Sequence, residues 1–348
     1  MQRRDFLRAF AVAGAAALVP PRLVRAAETA DAASLVAGTL SCDFHSHAWR
    51  RAGELGAEMR GGGMSIAVMA AVADRPLIKR EGGRLRALGS PARGHLHYQA
   101  MRQVADIKRR IETEGLATVL AASDAEAAHA AGRPGVVIGF EGGDALEGEI
   151  ERVAEFHAEG VRWLQLVHFR VNELGDIQTE DPVHDGLTPF GASVVRECNR
   201  LGMVVDLAHA TFDVVRQALP VATRPPVLSH TFLTDKPRRH TRGITRQHAR
   251  AIAEAGGVIG VVPFPFSFPT MHDYAEGFAR MADAVGVEHV GIGSDLDGIP
   301  TGTPPLNFYR QYPQLVQALA ERGFAREDLQ KIMGGNFLRV FGAATAAA

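Results

Sequence analysis

Cysteine, tryptophan and surplus charge are all scarce in this chain of 348 residues, which holds two Cys, two Trp and 38 Lys+Arg against 39 Asp+Glu. Two thiols, Cys42 and Cys198, cannot build a disulfide framework; one bridge is the most they allow, and Cys42 sits in an apolar run where it reads as a small buried hydrophobe. Without a basic excess there is no electrostatic footprint for a phosphate backbone, so no nucleic-acid partner is expected. No low-complexity tract, internal repeat or linker-like stretch follows residue 35. What remains is 46% apolar and 22% charged, a composition able to bury a sizeable core in one large α/β domain or two ordinary ones.

The first thirty residues read as an address. A basic stretch with adjacent Arg3 and Arg4 precedes the apolar run 9–20 and then small residues around Ala26 and Ala27, which is the order of a secretory signal peptide. That run falls short of the roughly 20 residues needed to span a bilayer as a helix. The string RRDFLR at 3–8 resembles the twin-arginine export signal. Residues 1–26 are therefore expected to be a twin-arginine-type signal peptide of a bacterial periplasmic or secreted protein, with no stable membrane insertion once it is cut.

From residue 35 onward, β-branched and apolar runs alternate with helical spacing and Gly or Pro breaks. The runs predict strands at 38–44, 64–72, 136–141, 162–168, 203–209, 226–230, 258–263 and 290–295, with helices over 98–122, 147–158, 189–201, 211–218, 245–255, 274–284, 305–322 and 326–340. Eight such units in about 300 residues fit a closed (β/α)8 TIM-like barrel, with an open doubly wound sheet as the alternative. Residues 35–348 are assigned to one barrel domain, and the long gap 73–135 to helices and a loop covering one mouth.

Six of the eight strands end in a residue that can bind a metal or move a proton: His45 with His47, Glu141, His168, His209, His230 and Asp295. A histidine at one strand end is usually a hydrogen-bonded structural residue, but in a barrel all strand C-termini open at one face, so the recurrence brings these groups together. His45 and His47, spaced i,i+2 on an extended segment, would point to one side. Imidazole and carboxylate suit Zn2+ whose geometry is left open for chemistry. Four histidines and Glu141 suffice for two metals if Glu141 bridges them, and two such ions would hold a hydroxide at neutral pH and polarise a carbonyl. The other histidines lack the preceding apolar run and read as surface or core residues. The clusters Gly61–Gly63 and Gly256–Gly257 lack the spacing of a phosphate-binding fingerprint and read as turns.

Residues from about 40 to 342 resemble the membrane dipeptidase (renal dipeptidase) family of zinc metallopeptidases in the amidohydrolase superfamily. The matching segments are DFHSH at 43–47, EGG at 141–143, GVR at 160–162 with His168 after it, GLTPFG at 186–191, ECNRLGMVVDLAH at 197–209, Ser229 with His230, GSDLDG at 293–298 and GGNFLRV at 334–340. The resemblance implies a zinc-dependent dipeptidase in which His45 and His47 bind one zinc, His209 and His230 the second, and Glu141 bridges them. It further implies that His168 contacts the substrate carbonyl, that Asp295 contacts the free amine and shuttles the proton, and that Arg242, or one of its neighbours Arg238 and Arg239, pairs with the C-terminal carboxylate. A metal-bridging hydroxide would attack the dipeptide, whose C-terminal residue in this family is often of D configuration. Members are often homodimers.

The chain departs from that pattern twice. His47 stands where the family usually has Asp, leaving the metal pair one unit more positive. The stretch GVVPFP at 260–265 lacks the tyrosine often found there. Both departures keep open a second reading, an amidohydrolase acting on another amide, a lactam or a lactone. A noncatalytic metal or peptide binder would need neither His168 nor Asp295.

Overall fold

The computed structural model describes residues 32–236, 240–300 and 302–346. The leader at 1–26, with Arg238 and Arg239, lies outside the described residues. Eight parallel strands form the barrel: β1 Cys42–Ser46, β2 Ile66–Val72, β3 Gly135–Glu141, β4 Val161–Gln165, β5 Val204–Asp206, β6 Val227–Leu233, β7 Val258–Val261 and β8 Val290–Ile292. Each pairs with the next, and Asp43 of β1 pairs with Ile292 of β8, so the sheet closes on itself. Strands such as β2 (IAVMAAV) and β3 (GVVIGFE) are buried throughout, as expected for a parallel sheet covered by helices outside and packed side chains within.

One apolar cluster fills the barrel and its floor. Phe44, Ile66, Val68, Val137, Trp163, Val204, Val227 and Val258 meet Phe337 and Phe341 of the helix Asn336–Thr345. Phe44 stands edge-on to Trp163 with centroids 5.9 Å apart and 6.0 Å from Phe337. The larger cluster lies between strands and outer helices. Cys42 belongs to the inner cluster and Cys198 to the outer; both are buried and unbridged.

The alternation of strands and helices is borne out, and several boundaries move. The helix expected over 98–122 ends at Thr113, because Gly115 turns left-handed (φ +63°) and Ala117–Thr118 pairs with the start of β3. The 73–135 gap also holds an antiparallel hairpin, Ile78–Glu81 with Arg84–Ala87. Its turn is Gly82-Gly83, both at positive φ, the geometry that two-residue hairpin loops favour. Strands rich in Lys, Arg and Glu carry no apolar alternation, so periodicity alone does not find them. The last helix, expected over 326–340, is broken by a π-turn at Lys331–Gly335. Among the described residues no helix is long and apolar enough to cross a membrane.

Barrel closure forces backbones together between β6, β7 and β8. A Cβ on Gly260 would lie 1.8 Å from the Ser229 carbonyl oxygen, and one on Gly293 would lie 1.9 Å from it. Overpacking of this kind costs about 1–3 kcal/mol. Gly293→Ala should therefore lower stability by about 3 kcal/mol in urea unfolding, whereas Gly61→Ala, on an exposed helical position with open space around it, should raise it by up to about 1 kcal/mol. Equal effects at the two sites would contradict this account.

Candidate metal centre

The C-terminal rim of the barrel gathers residues from six strands. His45 lies in β1 and His47 just beyond it, Glu141 ends β3, and His230 sits within β6. His168, His209 and Asp295 do not end strands as expected: each lies three residues past β4, β5 or β8. Nor do His45 and His47 share an extended segment, since His47 (φ −114°, ψ 15°) already begins a helical turn. Their rings still converge because the register of β1 against β2 slips between Asp43 and Ser46, and such irregularities re-aim side chains.

All five histidines point Nε2 at one carboxylate. Glu141 Oε1 lies 3.3 Å from His45, 3.2 Å from His168, 3.5 Å from His209 and 3.5 Å from His230. Glu141 Oε2 lies 3.3 Å from His47. The Nε2 atoms of His45 and His47 are 3.2 Å apart, and those of His209 and His230 are 3.0 Å apart. Two nitrogens on one tetrahedral Zn2+, at 2.0–2.1 Å each, would stand roughly 3.3 Å apart. Asp295 Oδ1 reaches His47 Nε2 at 3.5 Å and His45 Nε2 at 4.0 Å. Three triads each bring their ligand atoms within 4.8 Å of one another: His45, Glu141 and His230; His45, His47 and Asp295; Glu141, His168 and His209. Asp295 and His168 thus stand as near as the five expected ligands.

The electrostatics fit a cation. Burial drives His209 and His230 well below the ordinary histidine range, aided by the charge of Arg242, so both present neutral imidazoles with a lone pair to offer. His47 Nδ1 faces the Ala70 carbonyl at 3.1 Å; an acceptor there fixes the proton on Nδ1 and frees Nε2. His230 Nδ1 is held by Ser229 Oγ at 2.8 Å, and His209 Nδ1 is buried without a partner. Burial opposes the ionisation of Glu141, but His168 and His45 and the imidazole contacts outweigh it and hold its carboxyl well below the usual range.

Behind the rim stand three buried carboxylates whose part the sequence reading missed. Asp74 accepts from His168 Nδ1 at 2.7 Å and from the Phe169 amide at 3.0 Å. Burial disfavours protonated His168, yet the charges of Asp74 and Glu141 win and raise it to about 10. Asp43 accepts from the Ser294 amide at 2.8 Å, from the Ser294 hydroxyl, and from Tyr309 Oη at 3.0 Å. Asp206 accepts from Ala208 N at 2.9 Å, Ser229 N at 3.0 Å and Trp163 Nε1 at 3.0 Å. Asp43 and Asp206 were visible inside the matching motifs; Asp74 is the first polar residue after the apolar run 66–73, the same mark that the rim residues carry. His209 (φ +68°) and Asp295 (φ +49°) both take left-handed backbone, a strain that clusters at functional sites.

The centre floors a cavity of about 590 Å3. Arg242 lines it, donating to Gln178 Oε1 at 2.7 Å and to the His230 carbonyl at 3.1 Å. Burial lowers its guanidinium to about 10, leaving it charged at neutral pH. One wall is apolar: Phe232, Val262, Phe264, Phe266, Ile299 and Pro300. The stretch expected to hold a tyrosine in relatives supplies Val262 and Phe264 to that wall.

Curated proteins similar to this chain include dipeptidase aclJ of Aspergillus oryzae, 32% identical over 222 residues and covering 62% of this chain and 52% of the relative. Dipeptidase tcpJ of Claviceps purpurea is 30% identical over 258 residues, covering 70% and 60% respectively. The chain thus spans only about half to three-fifths of the length of these relatives. Among solved structures, the probable dipeptidase PvdM of Pseudomonas aeruginosa superposes with TM-score 0.78 at 18% identity, covering 94% of this chain and 100% of that one. A metallo peptidase of Rhodobacter sphaeroides, liganded with a phosphinate mimic of L-Ala-D-Ala, superposes with TM-score 0.73 at 20% identity over 88% and 99%. At such identities the structures speak for the fold, a (β/α)8 barrel. The family model described as membrane dipeptidase (peptidase family M19) matches residues 55–348, most of the chain, and by that match this protein belongs to the membrane dipeptidase family.

Proposed function

We propose that this protein is an exported, zinc-dependent dipeptidase. The observation that carries the reading is the gathering of five imidazole Nε2 atoms within 3.5 Å of the Glu141 carboxylate, with His209 and His230 held neutral and Asp295 and Arg242 in the same cavity. His45 and His47 would hold one ion, His209 and His230 the other, with Glu141 between them. A pair of divalent ions, when bound, supplies a water activated at neutral pH and polarises the scissile carbonyl.

The chain's own residues do the remaining work. His168, kept protonated by Asp74, donates Nε2–H to the oxygen on which charge develops. Asp295 receives the substrate's ammonium group, takes a proton from the attacking water and passes it to the leaving amine. Arg242, steadied by Gln178 and the His230 carbonyl, offers a planar fork to the C-terminal carboxylate. A site that grips both termini admits two residues and no more. The phosphinate mimic of L-Ala-D-Ala bound by the Rhodobacter sphaeroides relative supports a D-residue at the C-terminal position here.

A second reading, hydrolysis of another amide, a lactam or a lactone, draws on His47 and on the apolar Val262–Phe264 stretch. The purified protein should contain two zinc ions per chain by elemental analysis, lose turnover of L,L and L,D dipeptides to a chelator, and regain it with zinc. Arg242→Ala should raise KM at least ten-fold for free dipeptides while leaving C-amidated analogues equally poor in both proteins. Lactone turnover with inert dipeptides would decide for the second reading.

Asp295→Asn should keep both metals and lose at least a hundred-fold in kcat. Asp74→Asn should keep them too, but lose ten- to a hundred-fold in kcat with little change in KM, because His168 then lacks the anion that holds its proton. Full activity in either variant would remove that residue from its role.

Export rests on the leader at 1–26 alone. Mature protein recovered from a bacterial periplasm should begin near Ala27 by N-terminal sequencing, and Arg3→Lys with Arg4→Lys should trap the precursor in the cytoplasm.

A further inference from the structure

The cavity holds further cations besides Arg242 in its lining. Arg50 and Arg75 both line it, and among the described residues neither forms an ion pair. Arg50 is half-buried at the end of the turn Ala48–Arg50 that follows His47. Of its five N–H donors one is engaged, Nη2 to Gln103 Oε1 at 3.3 Å, and its Nε is buried without a partner. Gln103 is itself locked to Val72, accepting from its amide at 3.0 Å and donating to its carbonyl at 2.9 Å. The Arg50 guanidinium also lies over the Trp49 ring, 5.1 Å from its centroid. It is therefore held in position without being satisfied.

The other arginines of the lining differ. Arg84 faces Glu180 at 3.5 Å and bonds the Thr179 carbonyl, and Arg80 donates to Gly83 O at 3.2 Å. Asp297, at the cavity edge, is taken by Arg51 in a two-pronged contact at 2.8 and 3.0 Å. Arg50 and Arg75 repel each other, while the charges of Glu141, Asp295 and Asp297 also act on Arg50 without forming an ion pair with it. Two cations with spare donors and no ion-pair partner among the described residues form a receptor whose anion comes from outside the chain.

Which end of the substrate meets this receptor follows from the rim. Asp295 lies nearest His47, and Arg50 follows His47 by three residues and acts electrostatically on it. Arg242 is tied to Gln178 and His230 and acts on His209 and His230. Resting on the dipeptidase reading, we propose that Arg50 and Arg75 recognise an acidic side chain on the N-terminal residue, making dipeptides that begin with glutamate or aspartate the preferred substrates.

The test uses the full metal-loaded chain with Glu-Ala, Asp-Ala, Gln-Ala and Ala-Ala, each with L- and D-alanine. Glu-Ala should exceed Gln-Ala in kcat/KM by at least ten-fold, and free L-glutamate should inhibit far more strongly than L-glutamine. Arg50→Gln should cut the Glu-Ala to Gln-Ala ratio about ten-fold and abolish the difference between the two inhibitors, Arg50→Lys should keep part of both, and Arg75→Gln, at an exposed position, should lower the ratio without touching the packed turn. A wild-type ratio of one or less, or equal losses on both substrates in Arg50→Gln, would overturn the acidic preference while turnover of Gln-Ala upholds the dipeptidase. Failure to cleave any dipeptide at full metal occupancy would overturn both.

Discussion

A carboxylate with almost no access to water sets the terms for the rest of this protein. Removing Glu141 from solvent would be prohibitive unless positive or polarisable partners replace the lost water, and the chain answers with imidazoles from β1, the β4 and β5 extensions and β6. No two neighbouring segments could do this alone. The groups meet only when the sheet has closed and its C-terminal ends share a rim, so the closure of the fold and the assembly of the site are one event. Cations at the centre would complete the same charge balance.

Around this centre the polar support is arranged in spokes. Asp43 joins the backbone of His45 to the Ser294 segment that carries Asp295; Asp206 ties β5, which leads to His209, to the Ser229 amide beside His230; Asp74 orients His168. Each carboxylate fixes the main chain or the remote nitrogen of a residue whose other end faces the cavity. This division lets a reacting group such as Asp295 Oδ1 stay under-bonded, while the backbone that bears it is held in a left-handed conformation it would not adopt unaided.

Much of this could be read along the chain, for a definite reason. A parallel barrel buries its strands on both sides, so each leaves a continuous apolar run, and the first polar residue after a run marks the rim. Glu141 and the histidines announced themselves in that way. The same rule misplaced His168, His209 and Asp295 by assuming that strands persist to the polar residue, whereas pairing stops three residues earlier and a loop makes the approach. Asp74, the first polar residue after the β2 run, obeys the same rule, whereas Arg50 leaves no comparable trace. Its importance lies in which of its donors lack a partner, a property of three-dimensional arrangement that residue type does not encode. The charged hairpin at 78–87 escaped because glycine conformation and main-chain pairing, not hydrophobic alternation, create it.

The floor of the barrel has a temporal consequence. Phe44 near one end of the described chain rests on Phe337 near the other, and the seam between β1 and β8 joins segments about 250 residues apart in the chain. Contacts so remote must wait until β8 has been made, and high contact order slows folding. Until β8 and the helix Asn336–Thr345 have been made and docked, a nascent chain of this protein would carry an unsealed apolar lumen and an unassembled centre.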